Sequence, residues 1–223
     1  MFYDGLSVIE SSDLLADRAY AQLNTAILRN EVPPGSRLSV PELARQLGIS
    51  RSPVREAVQR LVYDGLADYR GRKGTVVSTI EIEDFLSLLE VREVLEALAA
   101  SSAARRGNNE ERRALVAVHE EFVSQSPAMD ETAITYSQID MKFHTFIRYM
   151  TKNPELEAAL ARTQDRAHLS LFSLWGGWRN VEASQVEHAA MCEAIVIGDE
   201  DMASEAARAH ISGLRQRVLA ERS

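Results

Sequence analysis

The segment DMKFH, residues 140–144, holds a carboxylate and an imidazole four positions apart. On a helix this spacing places Asp140 and His144 on one face, where both side chains could bind the same metal ion. The apolar positions Ile139, Phe143 and Ile147 recur at helical spacing and predict that this face points into a core. A buried carboxylate needs a cation or a hydrogen-bond donor beside it, because burial without a partner is costly.

Two further histidines have similar surroundings near the end of the chain. His188 is close to the apolar stripe of Met191 and Ile195, and His210 lies on that of Ala207. Three helices would then direct one aspartate and three imidazoles toward the centre of a bundle, a ligand set suited to zinc, nickel, cobalt, manganese or iron(II). A core histidine with an ordinary hydrogen-bond partner is the alternative interpretation for each imidazole taken singly.

Arg92 is the third feature with chemical potential. It shares a helix face with Leu88, Leu95 and Ala99, and an arginine on an inward face is uncommon. Two roles stay open for it: a bidentate clamp on a carboxylate ligand, or a salt bridge to Glu96 or a neighbouring helix.

The remaining histidines and the single cysteine fall outside this pattern. We assign no role to His119 or His168. Cys192 follows His188 by four residues and is interpreted as a small buried hydrophobe.

The elements that must position these groups belong to a chain of 223 residues, 45% of them hydrophobic. That length is enough for one large domain or two smaller ones with a real core. A single cysteine excludes an internal disulfide, and no apolar run approaches the roughly 18 residues of a membrane span. There is no signal peptide with an apolar core. We therefore expect a cytoplasmic protein without a membrane partner.

The net charge of −8 hides an asymmetry along the chain. Residues 36–75 carry eight Lys or Arg against four Asp or Glu, whereas from residue 80 onward 15 basic residues face 24 acidic ones. Only the first segment suits a polyanion such as DNA.

The amino-terminal third predicts a winged helix-turn-helix. We expect an amphipathic helix over 13–30, in which Leu14, Ala21 and Leu28 recur at sevens. The stripe is widened by Leu15, Ala19, Leu23, Ala26 and Ile27. After a turn at VPPG come a short helix over 41–47, a longer helix from Ser50 or Ser52 to about 64, and strands over 67–70 and 75–79 that flank a basic hairpin tip.

Beyond Thr79 the pattern is helical throughout. The predicted helices are 83–105, 109–125, 130–151, 154–175, 181–197 and 200–221. The expected fold is therefore mainly α: a winged helix-turn-helix over 1–79, then an all-α antiparallel bundle over 80–223.

The helix in GISRSPVREAVQRL, residues 48–61, carries the DNA-binding chemistry. Its apolar positions face a core, while Arg51, Ser52 and Arg55 occupy the other side of the first two turns, the part of a recognition helix that reaches base edges. An arginine there can donate two hydrogen bonds to one guanine. The alternative to DNA binding is that these residues form an ordinary solvated helix face. The basic residues Arg72 and Lys73 at the hairpin tip argue against that alternative.

Residues 38–78, LSVPELARQLGISRSPVREAVQRLVYDGLADYRGRKGTVVS, resemble the DNA-binding domain of GntR-type bacterial transcription regulators. The hallmark is a Leu-Ala pair before a glycine turn, followed by Ser-Arg-x-Pro-Val-Arg-Glu-Ala. The resemblance implies DNA contacts from this helix and from the wing. Together with the basic Arg37, the expected contact residues are Ser50, Arg51, Ser52, Arg55, Gly71, Arg72 and Lys73.

Residues 83–220 are similar to the all-helical FCD effector domain of the FadR subfamily of GntR regulators, and six helices match its VanR-like branch. Metal-binding members carry Asp-x-x-x-His on one helix and a histidine on each of two later ones. The matching positions are Asp140, His144, His188 and His210. The resemblance implies a divalent transition metal, zinc first among the candidates, that binds the carboxylate of a small organic acid, and an arginine at Arg92 that meets the acid.

These features favour a repressor that binds operator double-stranded DNA as a homodimer and responds to a small carboxylate effector at the metal. A FadR-type regulator without metal, whose histidines bind an anionic ligand directly, is the alternative. A metalloenzyme is disfavoured because metal hydrolysis needs a general base beside the bound water, and Met, Lys and Phe stand between Asp140 and His144.

Overall fold

The computed structural model describes residues 12–124, 132–175 and 181–220. The chain divides into two compact units at the junction of Ser78 and Thr79. Each unit is described separately.

From residue 12 onward the first unit consists of three helices and a small hairpin. Its elements are α1 (Ser12–Leu28), α2 (Val40–Leu47), α3 (Arg51–Tyr63), β1 (Ala67–Tyr69) and β2 (Thr75–Val77). The strands are antiparallel, with Ala67 opposite Val77 and Tyr69 opposite Thr75. A short 3₁₀ turn over Gly71–Lys73 forms the tip between them. The predicted winged helix-turn-helix is therefore confirmed.

The packing face of α1 contains part of the predicted stripe. The buried positions are Ala16, Ala19, Leu23 and Ile27, whereas Leu14 is 60% exposed. Helix α1 packs on α3, and the three- and four-residue steps of the buried set give it a continuous contact face. The predicted stripe was right at Ala19, Leu23, Ile27 and Leu28, which are buried, and wrong at Leu14, Leu15 and Ala21, which are exposed.

The second unit is a bundle of long helices. These are α4 (Ile82–Arg106), α5 (Asn109–Ser124), α6 (Thr132–Met150), α7 (Pro154–Trp175), α8 (Val181–Ile197) and α9 (Glu200–Ala220). Helix α4 contacts α6, α7, α8 and α9. The predicted start at 130 and the predicted ends at 125 and 221 lie outside the described residues. Within the described ranges the mainly α fold is confirmed, and no helix is both long and apolar enough to cross a membrane.

The core of the bundle has two parts. Phe143, Ile147, Leu160 and Met191 belong to the larger cluster of buried side chains. A second cluster surrounds Phe85 and lines α4, α7 and α9. The helices that carry the candidate metal ligands, α6, α8 and α9, thus converge on packed interior positions.

Arg112 connects the carboxy-terminal ends of α4 and α8. Its guanidinium donates hydrogen bonds to the carbonyl oxygens of Ala104 and Val196, both at 2.6 Å, and to that of Gly107 at 3.1 Å. These carbonyls end α4 and α8 and would otherwise lack partners. Gly198 has φ +81°, and a Cβ there would lie 2.8 Å from the guanidinium, so the approach requires glycine.

Candidate functional site

The start of α3 exposes the polar side chains that the sequence analysis placed on DNA. Ser50 is the N-cap, but its side chain makes no capping hydrogen bond. Ser50, Arg51, Ser52 and Arg55 are all exposed, while the apolar side of the helix is buried. Hydroxyl groups, guanidinium groups and the helix N-terminus therefore face outward together, an arrangement suited to phosphates and base edges.

The hairpin tip adds a second basic surface to the same unit. Gly71, Arg72 and Lys73 are exposed, and Gly71 has φ +51°, which glycine adopts without strain. Arg37 is exposed too, and its backbone forms an isolated bridge with Val76 of β2. The hairpin strand thereby holds Arg37 within the same basic unit.

Other polar groups of this unit hold α3 in place. The Tyr20 hydroxyl donates a hydrogen bond of 2.6 Å to Asp64 at the end of α3. Arg60 forms an ion pair with Asp17 and lies 4.4 Å from the centre of the Tyr20 ring. Arg60 is thus engaged in packing α3 against α1, unlike the arginines of the first two turns.

The bundle brings three histidines together in its interior. His144, His188 and His210 are each at most 3% exposed, and each offers a nitrogen within 4.8 Å of those of the other two. Asp140 joins them: its Oδ1 is 3.5 Å from Nε2 of His188 and 3.9 Å from Nε2 of His144. The four residues lie on α6, α8 and α9, so the site depends on the tertiary fold.

Several polar atoms at this point have no hydrogen-bond partner. They include Oδ1 of Asp140, Nδ1 of His144 and both ring nitrogens of His188. Phe143 stacks on the His188 ring at 4.5 Å between centroids, and Phe122 lies at 4.7 Å, so the apolar surroundings offer no substitute. Unpaired buried oxygen and nitrogen atoms that face one another are the feature a bound divalent cation would satisfy.

Two of the histidines have a glutamate carboxylate close to Nδ1 of the ring. Nδ1 of His210 is 2.8 Å from Oε2 of Glu187, which also accepts hydrogen bonds from Arg217. Nδ1 of His144 lies 3.4 Å from Oε2 of Glu96. For His210, the carboxylate on Nδ1 fixes the ring orientation and leaves Nε2 as the ligand atom, as metal-binding histidines require.

The charges of these groups follow from burial and pairing. Burial lowers the pKa of His210 and sets the pKa of His188 well below its usual value, so neutral imidazoles, the form that binds metal, are favoured. Burial also raises the pKa of Asp140, against the opposing effect of His144. Although burial alone would raise the pKa of Glu96, His144 and Arg92 hold it well below its usual range.

A small cavity borders the histidines. Its polar lining comes from Arg92, Asp140, His144, Gln164, His168 and His210, and its apolar lining from Phe85, Ala167 and Leu214. It leaves about 10 Å³ for the centre of a water-sized molecule, which is the room of a single water. A guanidinium, three imidazoles and an amide beside apolar walls are suited to a small organic anion.

Comparisons with known families agree with this division of the chain. The family model of the FCD domain matches residues 87–213, more than half of the chain. The model described as bacterial regulatory proteins of the gntR family matches residues 15–77. This chain is a GntR-family transcriptional regulator with an FCD domain.

Similar proteins carry names of the same class. The Nta operon transcriptional regulator of Aminobacter aminovorans is 28% identical over 187 residues, which cover 83% of this regulator and 86% of the relative. The probable D-xylose utilization operon transcriptional repressor of Paenarthrobacter nicotinovorans is 26% identical, over 83% and 80% of the two chains. The relatives are regulators and not enzymes, so the metalloenzyme alternative is excluded.

Solved structures show the same fold. McbR/YncC of E. coli superimposes with a TM-score of 0.77 at 18% identity, over 94% of this regulator and 99% of that chain. A GntR protein from Rhodococcus sp. RHA1 gives the same TM-score at 21% identity, over 92% and 97% of the two chains. At these identities the likeness concerns the fold alone.

The structure of the regulator brings together side chains that the sequence analysis named separately. Asp140, His144, His188 and His210 meet, and Arg92 lies beside them. Arg92 forms the alternative salt bridge, with Nη2 2.7 Å from Oε1 of Glu96, and also lines the cavity, so the two roles do not exclude one another.

Sequence analysis missed several groups at this site. His168, to which no role was assigned, lines the cavity with Gln164, four residues earlier on α7. That spacing, on the same side as the buried Leu160, was a signal available in the sequence. The pairing of Glu187 with His210 had no sequence signal, because it depends on how α8 and α9 pack.

Proposed function

We propose that this GntR regulator is a repressor whose affinity for operator DNA is controlled by a small organic acid bound at a metal centre in the helical unit. The observation that carries the proposal is the meeting of Asp140 with three buried histidines, where unpaired ligand atoms border a cavity lined by Arg92. In this proposal residues 1–79 bind DNA and residues 80–223 bind the effector, within the bacterial cytoplasm.

Asp140, His144, His188 and His210 would hold a divalent transition metal. Three imidazoles and one carboxylate suit zinc best, and the same set accepts nickel, manganese, cobalt or iron(II). When bound, the metal would supply a positive Lewis-acid centre for the carboxylate of the effector. The neighbouring carboxylates support the ligands: Glu187 fixes the ring of His210, and Glu96 lies 3.4 Å from Nδ1 of His144.

The effector would bind in the cavity between the metal ligands and Arg92. The guanidinium can donate two parallel hydrogen bonds to a carboxylate, and Gln164 and His168 on α7 offer additional polar contacts. The apolar part of the acid would contact Phe85, Ala167 and Leu214. A short organic acid with one or two carboxylates has the matching distribution of polar and apolar surface.

Operator DNA would contact the first unit at α3 and the wing. The proposed residues are Arg37, Ser50, Arg51, Ser52, Arg55, Gly71, Arg72 and Lys73. A homodimer would present two such surfaces to the two halves of a palindromic site. The effector could change DNA affinity only by as much as it distinguishes between two arrangements of the dimer. The relative named as a D-xylose operon repressor supports the negative sign of control.

Metal analysis tests the proposal most directly. Protein purified without a histidine tag should contain about one transition metal ion per chain, and removal with a chelator should lower the midpoint of thermal unfolding. Zinc at a hundredfold excess over its dissociation constant contributes about 2.7 kcal/mol, which corresponds to a shift of roughly 5–10 °C for a chain of this size.

A screen of small mono- and dicarboxylates against the metal-loaded protein would then identify the effector by thermal stabilisation. Measuring the affinity for operator DNA with and without that acid would show its effect on regulation. Metal-free protein that gains no stability from zinc, nickel, manganese, cobalt or iron(II), yet is stabilised by an acid, would replace the metal proposal with direct binding of the anion by the histidines. Regulation by the same cavity would then still stand.

A further inference from the structure

Gly213 lies in the interior of a long helix, where glycine is unfavourable. After proline, glycine is the residue that most weakens a helix, because its backbone loses the most freedom on folding. Helix α9 extends from Glu200 to Ala220, so Gly213 is neither a cap nor part of a turn. Its φ lies outside the left-handed region that favours glycine. The local backbone therefore does not account for this residue.

The space beside Gly213 is filled by a carboxylate of the neighbouring helix α8. A Cβ at Gly213 would lie 2.6 Å from Oε1 of Glu187 and 3.1 Å from Nη1 of Arg217. Both distances are shorter than the roughly 3.5 Å at which such atoms make favourable contact. A side chain at this position would therefore have to displace the carboxylate of Glu187.

This carboxylate holds an arginine and a candidate metal ligand at once. It accepts hydrogen bonds of 2.6 Å and 3.0 Å from Nη1 and Nη2 of Arg217, and its Oε2 lies 2.8 Å from Nδ1 of His210. His210, Gly213 and Arg217 follow one another at steps of three and four residues, which places them in one line along α9. Gly213 is the gap in this line through which Glu187 approaches.

The arrangement determines which nitrogen of His210 is available. The two parallel hydrogen bonds from Arg217 favour the ionised form of Glu187. An ionised carboxylate only accepts hydrogen bonds, so Nδ1 of His210 donates and Nε2 keeps its lone pair. The end of a glutamate side chain moves more readily than a packed helix, so an added Cβ would act first on this contact.

We propose that Gly213 is a positioning residue for the metal centre: its missing side chain lets Glu187 reach Nδ1 of His210 and so directs Nε2 toward the metal. This role rests on the proposed metal site and adds a residue that is not itself a ligand. The weakness that glycine brings to α9 is then the condition for a correctly oriented ligand.

Zinc affinity of the full chain, measured by competition with a chromophoric chelator, is the first test. Gly213→Ala should weaken zinc binding at least about tenfold, as expected when a metal-binding histidine loses its carboxylate partner. Ala209→Ser is the control, because it adds a group of similar size on the exposed side of α9, next to His210. That variant should bind zinc like the wild type.

A double-mutant cycle separates this role from a general effect on α9. Once Glu187→Ala has removed the carboxylate, adding Gly213→Ala should change zinc affinity by no more than about a factor of two. The urea midpoint of the double variant should exceed that of Glu187→Ala alone, because alanine favours a helix more than glycine does. Losses that multiply would mean that Gly213 acts independently of Glu187, and would overturn the proposal.

Nitrogen spectra of histidine-labelled, metal-free protein provide a readout without zinc. At mildly alkaline pH the wild type should show His210 protonated at Nδ1, with the signal assigned by its loss in His210→Ala. Gly213→Ala should show a mixture of the two neutral forms of the ring. A spectrum of Gly213→Ala identical to that of the wild type would overturn the route through Glu187.

The outcomes distinguish Gly213 from the site that it serves. A wild-type protein that binds neither zinc nor the other candidate metals would overturn the metal centre, and the role of Gly213 in it. A wild type that binds zinc, with Gly213→Ala of equal affinity, would overturn the role of Gly213 alone.

Discussion

Nη2 of Arg92 donates a hydrogen bond of 2.7 Å to Oε1 of Glu96, one helical turn later on α4, and both side chains are almost fully buried. The other oxygen of Glu96 lies 3.4 Å from Nδ1 of His144. Glu96 therefore joins a cavity-lining guanidinium to a candidate metal ligand. Because both charges are withdrawn from water, the loss of either partner should have a large effect.

Glu96→Ala should destabilise the metal-free protein by about 3–5 kcal/mol, since it leaves the Arg92 charge buried without a partner. Urea unfolding followed by circular dichroism would measure the change. Glu90→Ala is the matched control: it breaks an exposed pair of the same helix with Arg215 and should cost about 1 kcal/mol or less. Equal effects of the two variants would contradict the importance assigned to burial.

Glu187→Ala should weaken zinc binding by about 10–100-fold, because His210 loses the carboxylate that orients its ring. Competition with a chromophoric chelator would measure the affinity. Glu187→Gln keeps an acceptor oxygen and should recover part of the loss. Glu193→Ala, an exposed position on the same helix, should not change zinc affinity; a similar loss there would argue for a general effect of charge on α8.

His188→Ala should remove the bound metal and the response to the effector, while the metal-free protein still binds its operator. The physical reason is that His188 supplies a ligand nitrogen but lies in the unit that does not contact DNA in our proposal. His119→Gln serves as the control, because His119 lies outside the histidine cluster. A His188→Ala variant that still responds normally to its effector would disprove a shared metal and effector site.

Arg55→Ala should abolish specific operator binding at physiological salt, with the helical content unchanged. A bidentate contact to guanine accounts for roughly 1–3 kcal/mol of discrimination. Lys73→Ala should instead weaken binding to all DNA sequences by a similar factor. The slope of the logarithm of the binding constant against the logarithm of salt concentration should become shallower by about 1. Arg18→Ala on α1 controls for exposed positive charge in the same unit. Gel-shift or anisotropy titrations at several salt concentrations would separate these outcomes.

Cys192 should be almost unreactive toward thiol reagents in the native protein. Its side chain is 5% exposed, and burial raises the pKa of its thiol to about 11, so little thiolate forms at pH 8. Reaction with a chromogenic disulfide should begin only as denaturant unfolds the chain. Rapid labelling under native conditions would show that this part of α8 opens readily.

Local spacing was sufficient to predict much of this molecule. The helix pattern and the four-residue step from Asp140 to His144 depend on one element at a time, and the inward position of Arg92 was visible from its apolar neighbours. The contacts of Glu187 with His210 and of Glu96 with His144 were not predictable, because they depend on how separate helices pack. On α1 the predicted stripe was too wide for the same reason: contact with α3 decides that Leu23 and Ile27 are buried while Leu14 is exposed.

The cavity beside Arg92 has room for about one water molecule, so the site as it stands is closed to any organic acid larger than that. Binding of the proposed acid would therefore require the helices that line the cavity to separate, either before the acid enters or as it does so. In stopped-flow experiments the observed rate should then level off with increasing ligand concentration at the rate of this opening or rearrangement. The regulator would gain a built-in delay, since the speed of its response would be limited by its own motion and not by the supply of the acid.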